Sequence, residues 1–89
     1  MLFMIFENYR AGDAAPVYRR FRERGRLAPP GLKYISSWVT TDLGRCYQVM
    51  DGDESLLREW MSHWDDLVDF EIVPVRPSAE AFAAIAPIL

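Results

Sequence analysis

The sequence contains one cysteine and one histidine, and it has no long apolar run. A single cysteine excludes a disulfide within the chain, and a single histidine excludes any metal centre that needs two imidazole ligands from one chain. No stretch approaches the roughly 20 apolar residues that span a membrane. The opening run, Met1 to Phe6, has no basic leader or small-residue cleavage site, so it is interpreted as a strand rather than a signal peptide.

Positive charge is also in short supply. Ten Lys and Arg residues stand against 13 Asp and Glu residues, giving a net charge of −3. Nucleic acids and anionic membranes both attract a dominant basic field, so neither is expected as a partner. A cytoplasmic location is expected by default. Five arginines nevertheless crowd one segment and are interpreted as a solvated helix face: Arg19, Arg20, Arg22, Arg24 and Arg26.

Apolar residues, in contrast, are abundant, because 51% of the chain is hydrophobic and 13% is aromatic. A chain of 89 residues has enough side chains for one core only, so a single domain over residues 1–89 is predicted. Such a small domain has much surface for its volume. Part of its apolar area is therefore expected to be covered by a partner.

Hydrophobic periodicity predicts the element order βαββαβ, followed by a short terminal helix. The predicted strands cover residues 2–9, 32–41, 45–50 and 69–75, and the predicted helices cover residues 14–25, the stripe Leu56 to Leu67, and residues 78–86. Right-handed crossovers put both main helices on one face of a four-stranded antiparallel sheet, with the first and third strands in the middle. The predicted fold class is α+β, ferredoxin-like.

The hairpin between the second and third strands decides which residues share a face. A three-residue loop, Asp42-Leu43-Gly44 with Gly44 at positive φ, would pair Trp38 with Gln48. In that register Tyr34, Ser36, Trp38, Cys46, Gln48 and Met50 face away from the helices. A one-residue change in the loop would exchange the faces.

The first and last strands carry apolar residues on both faces, as strands buried on both faces do. The chain supplies helices for one face only, so a second copy is expected to pack sheet to sheet and to leave a small cavity in each protomer. There Trp38 would stack on a flat organic ligand and Gln48 would anchor it. The predicted ligand-binding residues are Trp38, Gln48, Cys46, Ser36, Phe6 and Asn8.

Catalytic and metal-binding motifs are weak throughout. His63 borders the second helix stripe, away from the predicted pocket, and Cys46 has no base or cation on its face, so it is interpreted as a small buried hydrophobe. Glu7 and Glu71 are the candidates for a general base, because desolvation would raise the pKa of either. The acids Asp65, Asp66 and Asp69 match no calcium-loop spacing. No metal and no cofactor is predicted.

Four stretches nevertheless resemble a known family, namely FENYRAGD, PPGLKYISSWV, RCYQVMDGDE and EWMSHWDDLVDFEIVPV. The likeness reaches to about Arg76, and Trp38, Trp60, Trp64, Asp69, Phe70, Glu71 and Pro74 carry it. The chain is similar to the domain of unknown function family 3303, which is assigned to the dimeric α/β-barrel superfamily. This resemblance implies a homodimer with the sheets face to face, but no activity. The wider superfamily includes monooxygenases, haem-degrading enzymes, chlorite dismutases, isomerases and ligand sensors, so the fold does not fix the function.

Three functions stay open on the sequence alone. The first is a homodimeric small-molecule-binding domain with its pocket between the sheet and the partner sheet. The second is a cofactor-independent enzyme of the oxygenase or isomerase type, acting on an acidic aromatic substrate. The third is a structural or interaction module whose interface is dry and binds no ligand.

Overall fold

A computed structural model describes residues 1–89. Its four strands form one antiparallel sheet in the order β2-β3-β1-β4, with helices in the crossovers. The predicted α+β, ferredoxin-like arrangement is confirmed, with the first and third strands in the middle. None of the helices has the length and apolar character needed to cross a membrane. The elements are β1 (Leu2–Tyr9), α1 (Ala15–Arg24), β2 (Lys33–Val39), β3 (Arg45–Asp51), α2 (Glu54–Ser62), β4 (Val68–Val75) and α3 (Ser78–Ile85).

Helix α1 begins and ends where its sequence dictates. The Asp13 carboxylate accepts the Ala15 N–H at 3.0 Å, and Pro16 occupies the first turn, where a missing N–H costs no helical hydrogen bond. At the other end, Gly25 adopts a φ of 72° and donates its N–H to the Phe21 carbonyl at 2.8 Å. Because a positive φ ends the helix there, Arg26 does not continue the α1 surface.

Hydrogen bonds join the end of α2 to the loop that follows α1. Trp60 lies in the last turn of α2 and Trp64 in the turn after it, and both indoles donate to the Arg26 carbonyl oxygen at 3.0 Å. Buried indole N–H groups need such an acceptor. The Trp60 ring also meets Phe70 of β4 edge to face at 5.5 Å. These two tryptophans are only 2% and 5% exposed, so they pack the end of α2 and the turn after it onto the sheet.

The β2–β3 hairpin differs from the prediction in its loop. The Thr40 N–H donates to the Arg45 carbonyl at 2.9 Å, so the loop has one residue more than expected. The Asp42 carboxylate accepts the Thr40 hydroxyl at 2.7 Å and the Gly44 N–H at 2.9 Å, which stabilises this wider turn. The residue at positive φ is Leu43, at 63°, and not Gly44. The predicted three-residue loop is therefore wrong.

This longer loop shifts the register by one residue and turns β3 over. Trp38 lies opposite Tyr47, and Ser37 lies opposite Gln48. The predicted Trp38–Gln48 pair is therefore wrong. An irregularity between Tyr34 and Ser36 also breaks the alternation of β2, so that Tyr34 pairs with Met50. The side chains of β3 that face the helices are Cys46, Gln48 and Met50, which were expected on the other side.

The sheet therefore has two distinct faces. The covered face lies beneath α1 and α2 and holds the centre of the core. Its residues include Phe3, Ile5, Glu7, Tyr9, Ser37, Val39, Cys46, Gln48, Met50 and Val68. The open face has no helix over it. Its residues include Leu2, Met4, Phe6, Asn8, Ser36, Trp38, Tyr47, Val49, Glu71 and Val73.

Helix α3 forms where it was predicted but stands apart from the core. Every residue from Arg76 to Leu89 is exposed, including Phe82 and Ile88. The radius of gyration is 14.9 Å, compared with about 12 Å for a compact domain of this length. The terminal segment thus extends the molecule instead of adding a second layer to the sheet.

Candidate functional site

A half-open cavity of about 120 Å³ lies between α1, the loop that follows it and the covered face. Aromatic side chains, among them Phe21, Trp60 and Trp64, form much of its wall. Polar groups converge on it from five parts of the chain, and they are Glu7 and Tyr9 of β1, Tyr18 of α1, Arg26 of the loop, Ser37 of β2, and Cys46 and Gln48 of β3. A small apolar cavity with a few convergent polar groups has the general composition of a ligand site.

Glu7 is the buried acid of this cavity. Strand alternation places it between Ile5 and Tyr9 on the covered face, where it is 6% exposed. The Gln48 amide of the neighbouring strand donates Nε2–H to its Oε2. Burial raises the pKa of the Glu7 carboxyl, against the opposing effects of the hydrogen bonds from Gln48 and Cys46 and of the Arg26 charge. The carboxyl therefore keeps its proton to a higher pH than an exposed glutamate does.

Gln48 links this acid to a cation. Its Oε1 accepts a hydrogen bond from Arg26 Nη1 at 3.3 Å, which fixes the amide with its nitrogen towards Glu7. The Arg26 guanidinium also lies over the Tyr34 ring, 3.8 Å from the centroid. None of the ion pairs of the chain includes Arg26, so this partly buried cation has no carboxylate in direct contact. We call Glu7, Gln48 and Arg26 the acid–amide–arginine chain.

The Cys46 thiol and the Tyr9 hydroxyl of the cavity stay neutral. Burial, followed by the charge of Glu7, raises the pKa of the Cys46 thiol to about 12. Burial is also the main cause that raises the pKa of the Tyr9 hydroxyl above its ordinary value. Since a thiolate and not a thiol is the nucleophile, Cys46 is unsuited to covalent catalysis. The burial predicted for Cys46 is confirmed, although it lies on the covered face.

The six residues predicted to bind a ligand do not share one face. Cys46 and Gln48 line the cavity on the covered face, whereas Trp38, Ser36, Phe6 and Asn8 belong to the open face. Trp38 is 59% exposed, and the Phe6 ring packs edge to face against Tyr47 at 5.6 Å. A pocket between this sheet and a partner sheet needs a second copy and stays a prediction.

Arg26 is the main cavity residue that sequence reasoning missed, because it was grouped with the solvated arginines. Three of that group are indeed exposed, namely Arg19, Arg22 and Arg24. Arg20, in contrast, donates twice to the Asp66 carboxylate at 2.7 Å and once to the His63 carbonyl at 2.8 Å. The signal for Arg26 was its place after Gly25, where the helix surface has already ended.

The remaining candidates lie away from the cavity. His63, Asp65, Asp66 and Asp69 are exposed. No three His, Cys, Asp or Glu side chains converge as a metal site would require. Glu71, the second candidate for a general base, is exposed on the open face opposite Phe6. Of the two glutamates considered, only Glu7 is desolvated.

Comparison with known proteins gives a family but no activity. No curated protein and no solved structure matches the chain. The family model described as Domain of unknown function (DUF3303) matches residues 1–89, which is the full length given. The match therefore includes α3 as well as the stretches on which the resemblance was first seen. The chain belongs to the DUF3303 family of domains of unknown function.

Proposed function

We propose that this domain binds a small organic molecule with a single ring in the cavity beside Glu7, and that it acts as a homodimer paired through its open face. The acid–amide–arginine chain is the observation that carries the ligand proposal. Burying a carboxyl and an amide costs free energy unless each finds a partner, and here both do so at the wall of a cavity. Perturbed titratable groups in clefts are typical of functional sites.

The size of the cavity limits the ligand. A dry engineered cavity of about 150 Å³ holds one benzene molecule, and this cavity measures about 120 Å³ with one side open. One ring therefore fits between Phe21 and the two indoles, and a polar substituent would lie near Glu7 or at the opening by Arg26. Two fused rings exceed this space.

The homodimer is supported by the composition of the open face. Trp38 and Val73 are 59% and 37% exposed there, and no helix of the same chain lies over them. Strand spacing and rise give this face dimensions of roughly 20 by 25 Å, or an area of about 500 Å². This area approaches the ~600 Å² that a small stable dimer buries on each partner. A cytoplasmic location belongs to this proposal and is supported by the unpaired Cys46, since thiols stay reduced in that compartment.

The ligand site is tested with compounds of graded size and a matched pair of variants. Phenol, benzyl alcohol and benzamide are screened by thermal shift and calorimetry, with naphthol as the oversized control. Ser37→Leu narrows the cavity, whereas Ser36→Leu adds the same bulk to the open face. We expect single-ring compounds to bind, and binding to weaken in Ser37→Leu only. Equal binding by both variants would show that the site lies elsewhere. Failure of every compound to bind would indicate a structural or interaction module without a ligand.

A cofactor-independent enzyme is the second candidate, and Glu7 is the observation that favours it. A carboxyl with a raised pKa is a stronger base than an exposed glutamate and can accept and return a proton, as isomerisation through an enol requires. Gln48 and Arg26 adjoin it to stabilise developing negative charge. The test is to incubate the protein in D₂O with a single-ring ketone such as phenylacetone, which has carbon-bound protons next to its carbonyl. Loss of a carbon-bound proton signal with the parent protein but not with Glu7→Gln indicates catalysis, and no loss indicates binding alone.

A further inference from the structure

We infer that the ligand is an organic acid, held as its anion between Arg26 and a protonated Glu7. This inference rests on the proposed function, because it names the chemical class of ligand for the same cavity. It differs from that function in requiring a negative charge on the ligand and a proton on the protein. The two requirements come from opposite ends of the acid–amide–arginine chain.

Arg26 supplies the reason for a negative charge. It is partly buried, it lines the cavity, and its one side-chain hydrogen bond goes to the neutral Gln48 amide at 3.3 Å. Arg20 shows the usual arrangement, because both of its terminal nitrogens donate to the Asp66 carboxylate at 2.7 Å. A partly buried cation without an anion lacks this compensation. A ligand carboxylate at the cavity opening would provide it in the paired geometry that guanidinium groups favour.

Glu7 supplies the reason for a proton. The polar groups that face it or share its cavity are Tyr9 of β1, Tyr18 of α1, Ser37 of β2, Cys46 and Gln48 of β3, and Arg26 of the loop. Helix α2 and the turn after it contribute only indole rings to the cavity. Glu7 is thus the one carboxyl among them. A ligand anion beside an ionised Glu7 would be repelled, since two carboxylates in one low-dielectric site favour sharing a proton. The protonated carboxyl can instead donate to the ligand.

This arrangement makes anion binding depend on pH in a defined way. Above the pKa of Glu7 in the free protein, each bound anion must bring a proton to that carboxyl. Affinity should then fall by about tenfold for each pH unit, and proton uptake should approach about one per anion. A neutral ligand of the same shape requires no proton and should show neither effect.

Benzoate and benzamide form the matched probe pair, and calorimetry in buffers of different ionisation enthalpy measures the proton uptake. With the parent protein, benzoate should bind with proton uptake and with the falling pH profile, and benzamide with neither. Glu7→Gln should bind benzoate independently of pH. Arg26→Met should weaken benzoate by roughly tenfold or more, the usual effect of losing charge-assisted hydrogen bonds, while benzamide binding changes little. Glu71→Gln and Arg24→Met are exposed controls that should behave as the parent.

The outcomes separate the two proposals. Benzamide binding that Ser37→Leu weakens, together with benzoate binding that is absent or takes up no proton, overturns the acid inference and leaves the proposed function standing. Failure of both probes counts against both proposals. The proton count on the parent protein needs no variant, so it decides the matter even if a substitution at Glu7 prevents folding.

Discussion

The covered face and the open face belong to the same four strands, yet they bury apolar surface in different ways. On the covered face Phe3, Ile5 and Met50 are at most 1% exposed. That face also holds a carboxyl and an amide, and no buried side-chain polar atom of the molecule lacks a partner. On the open face Trp38 remains 59% exposed. The chain thus covers one face of the sheet with its own helices and leaves the other face without a covering layer.

Removing a tryptophan should show the difference in stability contribution between the two faces most clearly. Trp60→Ala or Trp64→Ala should lower the free energy of unfolding by about 3 to 5 kcal/mol, because each deletes a large buried ring and its hydrogen bond to the Arg26 carbonyl. Trp38→Ala should change it by less than about 1 kcal/mol in dilute protein. Denaturant titration measures all three. Similar losses at Trp38 and Trp60 would contradict the distinction between the faces.

A charge on the open face should affect association rather than folding. Trp38→Glu combined with Val73→Glu should raise the dimer dissociation constant by more than about tenfold, because association would bury unpaired carboxylates. Sedimentation at micromolar concentration should show dimer for the parent and monomer for the variant, with an unchanged monomer unfolding midpoint. A parent that is monomeric under these conditions would refute the homodimer.

Glu7 should give the covered face a pH dependence of its own. Its pKa is raised on folding, so the stabilisation it provides is full below the unfolded pKa of about 4.5 and is lost as pH rises through the folded pKa. The loss amounts to about 1.4 kcal/mol for every pH unit between the two pKa values. The parent should therefore lose stability relative to Glu7→Gln as pH rises above 4.5, the ordinary pKa of a glutamate. A constant difference across that range would show that Glu7 is not desolvated. Glu71→Gln serves as the exposed control.

The smallest effect on folding should come from the terminal segment. Ending the chain after Arg76 removes only exposed residues, so the free energy of unfolding of the monomer should change by less than about 0.5 kcal/mol. Denaturant titration of dilute protein checks this, and sedimentation of the same sample shows whether dimerisation needs α3. A large loss of monomer stability would mean that α3 packs against the core in solution.

The sequence predicted the fold because local patterns determine it. Pro16, Gly25 and the stripe through Leu57 and Trp60 fix the helices, and the order of elements then restricts the sheet topology. The faces of β3 were not predictable in the same way. They depend on a loop one residue longer, which Thr40 and Asp42 stabilise through side-chain hydrogen bonds that a turn pattern does not reveal.

The candidate site was predicted only in part. Glu7 was recognised as a possible base, and Gln48 and Cys46 were included, but the wrong register assigned both β3 residues to the opposite face. A buried acid on β1 does predict a donor on its neighbour strand, and Gln48 is the residue of β3 that meets this need. Arg26 reaches the cavity through the tertiary packing of a loop, which no periodic pattern encodes.

The two indoles that share the Arg26 carbonyl have an optical consequence. Trp60 and Trp64 form part of the cavity wall in apolar surroundings, whereas Trp38, the third tryptophan, stands in solvent on the open face. Indole emission shifts to shorter wavelength when the ring is shielded from water, and a soluble quencher reaches the exposed ring first. Intrinsic fluorescence therefore has two components, one sensitive to whatever occupies the cavity and one sensitive to whatever covers the sheet. The fluorescence of the unlabelled protein can therefore report cavity occupancy and coverage of the open face in the same experiment.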